Sequence, residues 1–375
     1  MSFFLDGAQL PDGTKVLFSC LSGSHMYGTS TPESDVDVRG VFIPPREYFL
    51  GFQTIEQASC KDPDTVYYEI RKFMRLALDC NPNIVEHLFV PENQWRISSA
   101  EWNIIFENRE LFISKKARWT FSGYATSQLH RIRSHRKWLL DPPTAPPSRV
   151  DFGLPEDRSL MSKDKLGAFN ALLAHYLTEI HRFHPLKEQI EEIMENKDYM
   201  AVVQKLTPVD AGIVKAIMPI SDDLLEVYQR EQGYARAKKY WDDFLRWQKG
   251  RNPARAKLEA AFGYDTKHAS HLVRLLREGE ELLLKGVLVF PLSYADEILG
   301  IRRGAFTYDG LMEHIGDIDS HFDALYKASP LPKGPNRERA DEICVDVVSR
   351  SLGITAPSDI VKVYKKVKEV LKDQE

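Results

Sequence analysis

The spacing of apolar side chains changes character along this chain. Lys15–Leu21 (KVLFSCL) is a short apolar run that stops at Ser22-Gly23-Ser24, the pattern of a buried strand feeding a turn. Asp35–Ile43 (DVDVRGVFI) alternates polar and apolar positions and ends at Pro44-Pro45, which predicts a second strand. Asp64–Ile70 (DTVYYEI) is rich in β-branched and aromatic residues and predicts a third. From Ile70 the period switches: Phe73, Met74, Ala77 and Leu78 follow at helical spacing, and Asn81-Pro82 ends that run. Asn83, with Glu86 three residues on, reads as the cap of the next helix.

Beyond residue 95 the helical period dominates. It runs through 101–140, 162–183, about 187–249 and about 254–285, with shorter stretches at Asp296–Ile301 and Asp309–Leu325. Five prolines make Asp141–Asp157 a loop, and PLPKGPNR at 330–337 is another. A final helix follows, and the basic end KVYKKVKEVLKDQE reads as a solvated amphipathic face. The expected organisation is α+β: a mixed domain over residues 1–95, then a mostly α-helical accessory region over 96–375.

Composition narrows the setting. With 43% hydrophobic and 28% charged residues the chain reads as an ordinary globular protein, and no apolar run approaches a membrane span. The N-terminus lacks the basic and apolar regions of a signal peptide. Cys20, Cys60, Cys80 and Cys344 show no CxxC spacing, which argues against a zinc site or a disulfide framework and fits a reducing cytoplasm. The net charge of −4 hides an asymmetry. Residues 1–95 carry 7 Lys/Arg against 13 Asp/Glu, whereas Leu111–Leu140 carries seven basic residues and no acid. An acidic unit suits cations and a basic neighbour suits a polyanion.

The candidate chemistry lies in Gly23-Ser24-His25-Met26-Tyr27-Gly28 followed by Asp35-Val36-Asp37. Strand residues i and i+2 share a face, so Asp35 and Asp37 are expected to present two carboxylates side by side. Like charges that close call for a cation, and hard oxygen ligands select Mg²⁺ or Mn²⁺. A Gly-Ser turn after the preceding strand offers N–H groups and a hydroxyl to a phosphate. Arg39, on the same strand face, fits either a triphosphate contact or an ion pair with a site carboxylate.

The pattern GS–x(10)–DxD resembles the signature of the DNA polymerase β nucleotidyltransferase superfamily. The longer string GSHMYGTSTPESDVDVRGVFIPP is similar to a bacterial and phage subfamily, part of which is described as RNA-ligase-associated polymerase-like proteins. IRKFMRLALDCNPNIVEHL, SHRKWLLDPP, GYDTKHASHLVRLLREGEELLLKG and IRRGAFTYDGL share the resemblance, which spans most of the chain apart from about 185–250. It implies a polymerase-β-type palm that moves a nucleoside monophosphate from an NTP such as ATP onto an acceptor hydroxyl. Gly23 and Ser24 would hold the β- and γ-phosphates, and Asp35 and Asp37 the metal ions. It also implies a third carboxylate on a later strand: Asp64 or Glu69, with Asp64 favoured because related sequences keep an acid there.

Two further segments extend the expected site. At 100° per residue Lys267, His271, Arg274 and Glu278 form one stripe, with Ala269, Leu272, Val273, Leu275 and Leu276 opposite. By itself this is a solvated face with an Arg274–Glu278 pair; similarity to KHAxHLxRL in the subfamily makes Lys267, His271 and Arg274 nucleotide-phosphate ligands. SQLHRIRSHRKW at 127–138 interleaves Arg131, Arg133, Arg136 and Lys137 with a tryptophan, which suits a nucleic-acid backbone and a splayed base. The expected acceptor is therefore an RNA end, with cleaved tRNA as one candidate. A small-molecule or protein acceptor and a non-catalytic nucleic-acid-binding module are the competing readings. The basic stretch counts against the first and the intact DxD against the second.

Overall fold

The computed structural model describes residues 2–32, 34–169, 171, 222–355 and 357–361. Most of the helical stretch expected over 162–183, the part of the one expected over about 187–249 that precedes residue 222, and the basic end at 362–375 lie outside the described residues. A hairpin of β1 (Ser2–Leu5) and β2 (Ala8–Pro11) precedes the strands read from the sequence. Those strands are β3 (Lys15–Ser22), β4 (Asp37–Ile43) and β6 (Asp64–Glu69). Two strands not expected from periodicity, β5 (Gln57–Lys61) and β7 (Trp95–Ser98), complete a five-stranded sheet in the order β5-β6-β4-β3-β7. Neighbours in it are antiparallel except β4 and β6, which are parallel.

The helices are α1 (Gly23–Tyr27), α2 (Glu47–Leu50), α3 (Ile70–Leu78), α4 (Pro82–Val85), α5 (Ala100–Glu107), α6 (Ala117–Leu140), α7 (Asp222–Gly250), α8 (Pro253–Phe262), α9 (Thr266–Lys285), α10 (Ala295–Arg302), α11 (Tyr308–Ala328) and α12 (Arg337–Ser351). In α3 the five apolar positions at helical spacing are all buried. Its successor is capped by Asn81, not Asn83: the Asn81 side chain accepts from the Asn83 amide and Pro82 takes the first helical position, where a missing N–H costs nothing. The helical stretch expected over 101–140 breaks between α5 and α6, and the one over 254–285 breaks at Gly263, whose φ of +76° ends α8.

The chain divides into two compact units, Met1–Leu139 with Pro253–Glu375, and Leu140–Asn252. The division does not fall at residue 95. The first unit has one continuous core in which Leu17, Phe18, Ile70 and Phe73 of the sheet layer pack with Leu272, Leu276, Ile315, Phe322, Ile343 and Val347 of the C-terminal helices. A smaller core under the β1–β2 hairpin holds Ala8, Leu10, Val38, Phe42, Ala58 and Tyr67. In the second unit Arg149 bridges Glu231 of α7 at 2.7 Å, and the same carboxylate accepts from Ser159 and the Leu160 amide.

Candidate active site

β3 runs straight into α1, so Gly23 and Ser24 open a short helix and not a loose turn. Ser22 lies opposite Asp37 in the β3–β4 register, which brings Gly23 against the Asp37 carboxylate. A Cβ on Gly23 would stand 1.9 Å from Asp37 Oδ2, and φ there is +61°. Both the space and the backbone angle demand glycine. The helix ends at Gly28, and its last turn is held by the Leu292 amide donating to the Tyr27 carbonyl at 3.1 Å.

The pairing of β4 with β6 sets Val38 beside Thr65, so Asp37 and Asp64 begin adjacent strands. Asp37 is held above the usual carboxylate range by burial and by the Asp64 carboxylate, against the pull of Arg39 and Lys267. Arg39 bridges to Asp64 at 3.1 Å and also donates to the Asp64 and Val38 carbonyls. Of the two roles open to it, the ion pair is the one seen here. Asp35 precedes β4 instead of lying in it, and is exposed. The i, i+2 geometry of a strand therefore does not apply to Asp35, although its charge, like that of Asp37, acts on Lys267.

Glu69 occupies the other end of β6. It is buried, caps α3 by accepting from the Lys72 amide, and pairs with Arg71 at 2.8 Å. Both its oxygens are engaged in holding the strand-to-helix corner, so the acid beside Asp37 is Asp64.

The start of α9 faces the acids. Lys267 has its pKa lowered by burial and by Arg255 and Arg302, with Asp37 and Asp35 pulling the other way. Three cations and the acid group thus meet in one place. Arg255 and Arg302 were not expected from the sequence; the one available signal was the family-like segment IRRGAFTYDGL that contains Arg302. His271 is exposed on α9. Desolvation and the charges of Arg274, Lys267, His268 and Arg302 bring its pKa down to about 3, so it is neutral at pH 7.

Arg274 departs from the expected stripe. It is 5% exposed and sits between Glu86 and Glu278, both buried, with Tyr27 under its guanidinium at 4.3 Å. Tyr27 donates to Glu86 at 2.5 Å. The stripe is not a solvated face, because α9 is packed on nearly every side. Arg274 ties α9 to α1 through the Tyr27 ring and is engaged by two buried carboxylates. Beside it His87, brought down to about 4 by burial, contacts the Ser22 hydroxyl at 3.2 Å.

On α6, Arg131, Arg133 and Lys137 are exposed. Arg136 donates to the Gly263 carbonyl at 2.7 Å and lies over the Tyr308 ring, so it ties α6 to the C-terminal helices. Trp138 is buried and stacks on His135, which removes it as a platform for a base.

A strand-fed Gly-Ser helix start, paired aspartates on adjacent strands and facing cations are what nucleotidyl transfer requires. The family model for the RNA repair pathway DNA polymerase β family matches residues 5–207, over half of the chain. The chain belongs to that family. It is accordingly an enzyme of the nucleotidyltransferase class with an α+β fold. Members of the polymerase β class usually use divalent metals, and two carboxylates at the starts of adjacent strands fit such an ion. The chain is 24% identical over 330 residues to the uncharacterized 38.9 kDa protein in the nrdC-mobD intergenic region of Enterobacteria phage T4, covering 83% of this chain and 89% of that one. It is 31% identical over 81 residues to the uncharacterized protein YcgL of Bacillus subtilis (strain 168), covering 20% of this chain and 31% of that one. No solved structure matches. Among the described residues no helix is long and apolar enough to cross a membrane.

Proposed function

We propose that this enzyme adds a nucleoside monophosphate from an NTP to the 3′ hydroxyl of an RNA end, with the palm residues 1–95 as the catalytic part and the helical region 96–375 as the acceptor-binding part. The observation that carries the reading is the placing of Asp37 and Asp64 at the starts of paired strands, with Gly23 closed against the Asp37 carboxylate and Lys267 in the field of Asp37 and Asp35. Asp37 and Asp64, joined by Asp35 from the preceding loop, would hold Mg²⁺ or Mn²⁺, which supplies neutralising charge for the triphosphate and the departing pyrophosphate. Gly23 and Ser24 hold the β- and γ-phosphates through the amides of α1, with Lys267, His271, Arg255 and Arg302 on the opposite wall. The acceptor oxygen attacks the α-phosphorus in line, its proton passes toward Asp64, and the bond to the β-phosphate oxygen breaks. Arg39 keeps Asp64 oriented for that role.

The exposed Arg131, Arg133 and Lys137 support a nucleic-acid acceptor, and cleaved tRNA suits an RNA repair family. The four free cysteines support a cytoplasmic setting. The deciding assay offers each α-labelled NTP with Mg²⁺ to RNA ending in a 3′ hydroxyl, the same RNA ending in a 3′ phosphate, a protein mixture and small hydroxylated acceptors. Label is expected on the 3′-hydroxyl RNA alone. Label on protein or small molecules with none on RNA would overturn the acceptor assignment.

A further inference from the structure

Away from the paired aspartates, three other side chains converge. His135 of α6, Asp265 at the cap of α9 and His268 in its first turn bring one ligand atom each within 4.8 Å of one another. Asp265 Oδ2 is 3.7 Å from His135 Nδ1 and 3.6 Å from His268 Nε2. Those spacings are too long for good hydrogen bonds. They approach the separation of about 3.4 Å between donors on a tetrahedral cation with bonds of about 2.0–2.1 Å.

The surroundings orient these atoms. His268 Nδ1 lies 2.8 Å from Gln128 Oε1, which suits a ring proton on Nδ1 and leaves Nε2, 3.6 Å from the Asp265 carboxylate, as the ligand atom. The other oxygen, Oδ1, accepts from the Lys267 and His268 amides, which fixes the carboxylate plane. A ligating histidine whose second nitrogen is hydrogen-bonded, next to a carboxylate fixed by backbone amides, is the supporting arrangement metal sites use.

We propose that His135, Asp265 and His268 form a binding site for a first-row transition cation, Zn²⁺ foremost, that clasps α6 to the start of α9. Three protein ligands leave a fourth position for water or another oxygen. Two imidazoles and one carboxylate favour Zn²⁺ over Mg²⁺, so the site is chemically distinct from the all-oxygen palm. Arg131 and Arg255 act on the His268 ring, and their charge sets the affinity below that of an all-cysteine site. The scattered cysteines have no part in it. The ligands come from positions 135, 265 and 268, a separation that no local motif announces.

The test is metal content of the full chain after equilibrium dialysis against micromolar Zn²⁺ with millimolar Mg²⁺ present to occupy the palm. Wild type should hold one equivalent of Zn²⁺, and Co²⁺ in its place should give the intense visible bands of a tetrahedral nitrogen and oxygen site. His268→Ala and Asp265→Asn should each weaken Zn²⁺ binding at least tenfold. Asparagine keeps the capping oxygen for α9, so the second variant separates metal loss from misfolding. Asp37→Asn should retain the equivalent. No bound Zn²⁺ in wild type, full retention in Asp265→Asn, or loss in Asp37→Asn would each overturn the assignment.

Discussion

At the scale of single residues, charge placement makes sharp forecasts. Asp37 has a raised pKa in the fold, so at neutral pH its ionisation opposes folding, increasingly as pH rises above the usual carboxylate range. Asp37→Asn should therefore raise the metal-free melting temperature at pH 7 while abolishing nucleotidyl transfer. An unchanged melting point together with near wild-type turnover would contradict both halves. Asp64→Asn should lose activity as completely, because it removes the partner of Asp37 and the anchor of Arg39. Glu69→Gln should instead cost about 1 kcal/mol of stability through the α3 cap and the Arg71 pair, with turnover largely kept. Urea melts beside initial rates distinguish the two. Arg274 is a third case. Arg274→Met leaves Glu86 and Glu278 buried without their cation and should cost about 3–5 kcal/mol. Glu278 is raised well above its ordinary value by burial and by Glu86, so its contribution is present at low pH and lost as pH climbs past the ordinary glutamate range. Glu278→Gln should keep the fold and flatten the loss of stability as pH rises past the ordinary glutamate range, read from melts at pH 4 and pH 7.

At the scale of elements, α6 separates charges that look alike in sequence. Four basic residues lie between 131 and 137, but Arg136 is turned inward onto the Gly263 carbonyl and Tyr308. Changing Arg131, Arg133 and Lys137 together to Gln should lower the slope of log affinity against log salt for single-stranded RNA by about two, at about 0.7 per phosphate contact. Arg136→Gln should leave that slope alone and reduce thermal stability. Filter binding at several salt concentrations reads the first effect and a melt the second. Equal slopes for wild type and triple variant would make α6 a structural face and remove the main support for an RNA acceptor. NTP binding should survive the triple change, since the triphosphate site proposed above lies on α1 and α9.

At the scale of the molecule, the sheet does not stand alone. The side of the sheet layer that carries Phe18 and Phe73 shares one core with Leu272 of α9, Ile315 of α11 and Val347 of α12, and that shared core forms its buried face. A fragment of residues 1–95 would expose that face to water. It should be insoluble or unfolded, showing no cooperative thermal transition by circular dichroism. A soluble fragment that binds NTP would mean that the palm is self-sufficient.

The sequence by itself determined what is local. The periods of β3, β4, β6 and α3, the glycine that closes on Asp37, and the GS–DxD spacing that names the chemistry all depend on neighbours within about fifteen residues. The short strands β5 and β7 escaped because each is held by its sheet partner and carries too few residues for a period to register. Only the tertiary structure decided between Asp64 and Glu69, because strand pairing sets which end of β6 meets Asp37. It also turned Arg274, Arg136 and Trp138 inward, brought Arg255 and Arg302 to Lys267, and gathered His135 with Asp265 and His268. Each of these joins residues far apart in the chain. A side chain's own charge or aromaticity does not say whether it will meet solvent, a phosphate or a buried partner; the packing of α6 and α9 against the sheet settles that.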